Sequence, residues 1–120
     1  MDRVFFVAGV LSALLGVGAG AFGAHALRRR LSADMLNVFE VGVRYQMYHA
    51  FALIIVAWAS TQWAGTLTTL SGWLFVLGTL LFSGSLYLLS LTGIRWLGAI
   101  TPLGGLALLG GWLALAIAAM

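Results

Sequence analysis

Two histidines, His25 and His49, are the only side chains in this 120-residue sequence whose ordinary titration range lies near neutral pH, and polar residues gather round each. His25 lies in GAGAFGAHALRRRL, residues 18–31, just ahead of Arg28, Arg29 and Arg30. His49 follows Tyr45 by four residues and Gln46 by three, so the three can share one side of a helix. Glu40, Arg44 and Tyr48 complete the group. Three kinds of chemistry are open to such a set. The histidines can hydrogen-bond between helices and fix how they pack, which is the usual role of isolated polar residues near helix ends. They can bind a ligand or handle a proton, since an ionisable group within a membrane is a functional suspect. Or they can ligate a haem iron axially from neighbouring helices.

Other chemistry is excluded by what the sequence lacks. There is no cysteine, so disulfides, thiolate catalysis and zinc–cysteine sites fall away. No GxSxG, P-loop, HExxH or CxxCH is present, and no carboxylate pair is spaced for two metals. The Gly-rich run GVGAGAFGAH lies in an apolar stretch and is no phosphate cradle. No metal or cofactor is therefore assigned, and the bis-histidine haem stays the third alternative.

The elements that must position these residues belong to a membrane. Hydrophobic residues make up 62% of the chain and charged residues 8%, too few to cover a water-facing surface. A spanning helix needs roughly 20 apolar residues. Four stretches qualify: Val4 to Leu27, Tyr45 to Trp63, Leu70 to Leu91 and Leu97 to Ala119. The first is too long for a signal-peptide core and is read as a retained span, although AHA at residues 24–26 resembles a cleavage site. Arg28, Arg29, Arg30, Arg44 and Arg95 fall on one side and Arg3 on the other, which places the arginine loops in the cytoplasm and both termini outside. Arg28 to Arg30 set that topology, and could also recruit anionic lipid at roughly 1 kcal/mol per charge. The bilayer is thus the first partner, and no basic stripe interleaved with aromatics suggests nucleic acid.

Between spans one and two, LSADMLNVFEVGVR predicts an amphipathic helix. Ser32 caps it and Asp34 sits in its first turn. Met35, Leu36, Phe39 and Val43 share one face; Asp34, Asn37, Glu40 and Arg44 share the other, with Glu40 and Arg44 in order for an ion pair. This helix either lies at the membrane surface or extends span two and packs on its own protein. Because spans one and two are antiparallel and joined on the arginine side, His25 and His49 are expected at similar depth, facing each other.

Small residues predict close helix contacts, since lipid tails supply no hydrophobic drive for pairing. Ser12, Gly16, Gly20 and Ala24 form one ridge of span one, with Gly23 beside it. Span three offers Gly84 and its serine neighbours, and span four offers Gly104 and Gly111. In ITPLGG, Thr101 can cap span four with Pro102 at its first position.

GAFGAHAL, YQMYHA, GSLYLLSLTG and ITPLGG, in this order, resemble the domain of unknown function 423 family of small bacterial inner-membrane proteins, relatives of transmembrane protein 256. The resemblance spans nearly the whole chain and implies a four-helix membrane protein; it implies no settled activity, substrate or cofactor. The expected fold is all-α: four transmembrane helices plus an amphipathic connecting helix between spans one and two, in a single domain over residues 1–120. The expected function is non-catalytic, as a homo-oligomer or as an accessory to a membrane-protein partner. The alternatives are an oligomeric pore or carrier, and a cofactor protein using His25 and His49.

Overall fold

The computed structural model describes residues 2–120, and among them every regular element is helical. Helix α1 runs Asp2–Leu27, interrupted by a π-helical turn at Ala19–Gly23. Helix α2 is Ala33–Gln62, α3 is Thr66–Thr92, and α4 is Thr101–Ala119, led in by a 3-10 turn at Arg95–Ala99. The main packing pairs are α1 with α2, α2 with α3, and α3 with α4, so a central α2–α3 pair is flanked by the other two. Phe5, Leu53, Val56, Phe75 and Leu108 make the core between them.

Three of the four helices are long and apolar enough to cross a membrane: Asp2–Leu27, Thr66–Thr92 and Arg95–Ala119. Helix α2 fails that test by composition, not length. Asp34, Asn37, Glu40 and Arg44 occupy its first half, and Gln46 and His49 its middle. The expectation of four spans is therefore met only as four helices.

No separate connecting helix forms. The amphipathic segment is the first part of α2, continuous with the stretch expected as span two. Ser32 does start it, its hydroxyl oxygen accepting from the Met35 N–H at 3.2 Å. Its apolar face packs on the protein itself: Phe39 is buried, with its ring 5.1 Å from that of Tyr87, while Asp34, Asn37, Glu40 and Arg44 are exposed. Glu40 and Arg44 do not pair; no ion pair joins them among the described residues.

The small-residue ridge of α1 faces α2. A Cβ added at Gly9 would come 2.7 Å from the Ala50 carbonyl oxygen, at Gly16 2.5 Å from Met47 Sδ, at Gly20 3.0 Å from Val43, and at Gly23 3.3 Å from Phe39. Ala24 is buried. The backbones approach because nothing projects between them. Gly20→Leu should force α1 away from Val43 and cost about 1–3 kcal/mol. Gly18→Leu, at a position with nothing within 4 Å, should not. Unfolding in mixed micelles compares the two.

These contacts also fix a register. Gly16 meets Met47, Gly20 meets Val43 and Gly23 meets Phe39, so residue numbers across the hairpin sum to about 62. His25 is thus level with the neighbourhood of Asn37. That is twelve residues before His49, or about 18 Å along the axis at 1.5 Å per residue. The expectation that the two histidines face each other is wrong. It counted span two from Tyr45, whereas the chain turns back within residues 28–32 and α2 begins at Ala33.

Helices α3 and α4 cross more closely still. A Cβ on Gly104 would fall on the Phe82 backbone nitrogen and lie 2.8 Å from its Cα; one on Gly111 would lie 2.7 Å from the Phe75 ring. Gly93 ends α3 in the left-handed region at φ 73°, its N–H closing on the Leu89 carbonyl at 2.8 Å. Thr101, not Pro102, begins α4, so the cap lies one residue earlier than expected, at Ile100, and Pro102 is the second helical residue. Thr101 is already helical. Its hydroxyl lies 2.6 Å from Ser85 Oγ, which itself donates to the Phe82 carbonyl, so Thr101 is the donor of that pair.

Candidate functional site

Because the glycine ridge of α1 is spent on α2, α1 and α3 do not close against each other along their whole length. They meet at one end, where Phe5 is fully buried over Gly72 and lies edge-on to Trp73 at 5.3 Å. Beyond that contact they leave a crevice of about 480 Å³, walled by α1 and α3 and floored by α2. Ala8, Leu53 and Val76 line one end, and Ala19 and Tyr87 the other. Mostly apolar walls with a few polar groups are the usual make-up of a small-molecule site, and the volume falls in the usual range of about 300–1,000 Å³.

The floor is polar and ordered. Gln46, buried, donates from Nε2 to the Ser12 carbonyl at 2.8 Å and accepts at Oε1 from the Tyr87 hydroxyl at 2.5 Å. One side chain of α2 thereby ties α1 to α3. Ser83 donates across to the Gly42 carbonyl at 2.6 Å. Thr79, in the α3 wall, is the one buried side-chain oxygen without a hydrogen-bond partner among the described residues. In hydrocarbon there is no water to satisfy such a group.

His49 points elsewhere. Its ring is buried between Phe75 and Trp112, 5.5 Å and 5.8 Å away by centroids. Trp112 can only donate, so its Nε1–H gives to His49 Nε2 at 3.0 Å. Nδ1 must then carry the proton and donate to the Tyr45 carbonyl at 2.8 Å. The imidazole is held as its neutral Nδ1–H tautomer, and it joins α2 to α4.

The profile of the family described as "Protein of unknown function (DUF423)" matches residues 19–105, which hold Gln46, Tyr87 and most of this crevice. The chain belongs to the DUF423 family. The UPF0382 membrane protein YwdK of Bacillus subtilis is 48% identical over 119 residues, covering 98% of this chain and 97% of that protein. A UPF0382 membrane protein of Staphylococcus haemolyticus is 49% identical over 121 residues, covering 96% and 93%. A third, from Staphylococcus saprophyticus, is 47% identical over 115 residues, covering 96% and 95%. This chain is accordingly a membrane protein of a family whose function is unknown. No solved structure matches it.

The polar group expected from the sequence is dispersed in this DUF423 chain. His25 is exposed at the end of α1 and makes no side-chain hydrogen bond among the described residues. Tyr45 and Tyr48 are exposed, their rings 5.6 Å apart, with Tyr45 also 4.6 Å from Phe82. Glu40 and Arg44 face outward. Only Gln46 and His49 are buried, and they serve different helix pairs. The bis-histidine haem does not fit this geometry: the two rings are far apart in register, and both His49 nitrogens are engaged. Gly84, expected as a packing glycine, has nothing within 4 Å of an added Cβ and opens into the crevice. Sequence reasoning missed Tyr87, Trp112 and Ser83 as hydrogen-bonding partners. Tyr87 and Trp112 meet Gln46 and His49 only in the assembled bundle, across 41 and 63 positions of sequence.

The Gln46 bridge makes a direct expectation. Gln46→Leu should cost about 1–3 kcal/mol, because it leaves the Tyr87 hydroxyl buried without its acceptor. Tyr87→Phe added to Gln46→Leu should cost almost nothing further. A double-mutant cycle of unfolding free energies measures this.

Proposed function

We propose that this chain is a four-span, non-catalytic protein of the bacterial inner membrane that holds a membrane-soluble ligand in the crevice between α1 and α3. The observation that carries the reading is the crevice itself, with its ordered Ser12–Gln46–Tyr87 floor. In support of a fourth span, every charge of α2 precedes Tyr45, and the eighteen residues from there to Gln62 extend about 27 Å, close to a hydrocarbon thickness of about 30 Å. The arginine count favours cytoplasmic loops before α2 and before α4, with both termini outside. A binding role is favoured over catalysis because no carboxylate and no histidine lines the crevice. The packed core of Phe5, Val56 and Phe75 gives no support to a hydrophilic path inside one chain.

Native mass spectrometry of the protein released from mild detergent tests this. One small apolar molecule per chain is the expected mass excess. A whole number of bare chains, even under the gentlest release, would overturn ligand binding and return the function to assembly with copies of itself or with another membrane protein.

A further inference from the structure

Resting on that reading, we propose that the occupant is an uncharged lipid of the isoprenoid-quinone class: a ring bearing carbonyl oxygens on an apolar tail. Three observations converge on this chemistry. First, none of the residues lining the crevice is Asp, Glu, Arg or His. A charged head would enter a low-dielectric site with no counter-charge, at a cost that nothing there offsets.

Second, the polar floor has a hydrogen to give. Gln46 Nε2 spends one of its two on the Ser12 carbonyl and keeps the other. An oxygen acceptor seated against Gln46 Nε2 takes that second hydrogen. Gln46 and Tyr87 lie on the arginine-side part of the crevice, while Ala8, Leu53 and Val76 line its other end. An amphiphile fits in one direction only, head toward the arginines and tail toward the far leaflet.

Third, the head site is deep. Gln46 Nε2 lies 3.6 Å from where a Cβ of Gly16 would be. Gly16 is twelve residues from Arg28, or about 18 Å along α1. A phosphate head stays in the interfacial region, and a free glycerol hydroxyl forfeits its water at that depth. A quinone ring carries acceptors but no donor and no charge, so it gives up little hydration on entering. The site gives one neutral head a donor from its floor, and gives the tail a lane of small and aliphatic side chains.

The test uses the full chain in phosphatidylcholine nanodiscs. The probes are a decyl-substituted benzoquinone, decylbenzene, dioctanoylglycerol and decanoate, read by competition and by thermal shift. The quinone should bind one per chain and at least about tenfold more tightly than decylbenzene, the scale of one or two buried hydrogen bonds. Gln46→Met combined with Tyr87→Phe, which keeps the bulk and removes the amide without stranding the hydroxyl, should weaken the quinone about fivefold and leave decylbenzene unchanged. Gly84→Leu fills the crevice at a position where nothing stands within 4 Å, so it should abolish binding of both while the fold persists.

If decylbenzene binds as well as the quinone, or the Gln46→Met, Tyr87→Phe variant changes nothing, recognition of the head is overturned while the crevice stands. If dioctanoylglycerol or decanoate wins the competition, the quinone class is likewise overturned. If no probe binds, or Gly84→Leu leaves binding intact, the crevice reading itself fails, and the quinone proposal with it.

Discussion

Gly104→Leu is expected to prevent the folded chain from accumulating in the membrane, and Gly104→Ala alone to cost about 1–3 kcal/mol or more. The reason is what stands opposite. At Gly16 the neighbour is the flexible tip of Met47, and at Gly78 it is chiefly the side chain of Leu108, both of which can move. At Gly104 it is the Phe82 backbone, nitrogen and Cα together, inside a continuous α-helix. Nothing there yields without shifting one helix against the other. A shift would pull Thr101 off Ser85 in the turn just before, and lift Gly111 from the Phe75 ring two turns on. The neighbouring Gly105 is a sharp control, because its added Cβ would sit 3.9 Å from the Phe82 ring, an ordinary contact. Gly105→Ala should therefore be nearly silent. Yield of folded protein and unfolding in mixed micelles, measured for the three variants side by side, check this. Equal behaviour of Gly104→Ala and Gly105→Ala would show that the helices do not cross here.

What the sequence made legible follows from which signals are local. The Ser32 cap and the amphipathic face with Phe39 buried and Asp34 exposed are each written within a few residues, and each is where spacing puts it; the glycine ridge is as local, but spacing does not name α2 as what it meets. The start of α4 beside Pro102 is local too, though it falls one residue earlier than the motif suggests. The candidate site is not, because its members come from three helices. Tyr87 reaches Gln46 across 41 positions, and Trp112 reaches His49 across 63. Such pairings depend on register, and register depends on where the chain turns. Placing the start of span two at Tyr45 instead of Ala33 moved His49 to the wrong depth, and this one error produced both the His25–His49 pairing and the haem alternative. Gly84 illustrates a different blind spot. Spacing marks a small residue as able to accept a neighbour, but whether a helix or an empty crevice stands opposite is a property of the assembled bundle.

His49→Ala is expected to cost about 2–4 kcal/mol, the second large effect. Part is packing, since the imidazole fills the space between Phe75 and Trp112. Part is polar: the Trp112 N–H loses its acceptor in a place without water to replace it. The two parts separate in a cycle with Trp112→Phe, which keeps an aromatic ring and removes the donor. In the double variant no N–H is stranded, so its cost should fall short of the sum of the singles by about 0.5–1.5 kcal/mol, the range known for hydrogen bonds between membrane helices. His25→Ala supplies the contrast. Its ring is exposed and twelve residues out of register, so it should change stability by no more than about 0.5 kcal/mol and add independently to His49→Ala. Less-than-additive His25 and His49 effects would restore the face-to-face arrangement and refute the hairpin register. Additive ones, together with coupling between His49 and Trp112, would fix His49 as the hydrogen bond that holds α2 to α4, and leave the crevice on the opposite side of α2 as the place where a ligand can act.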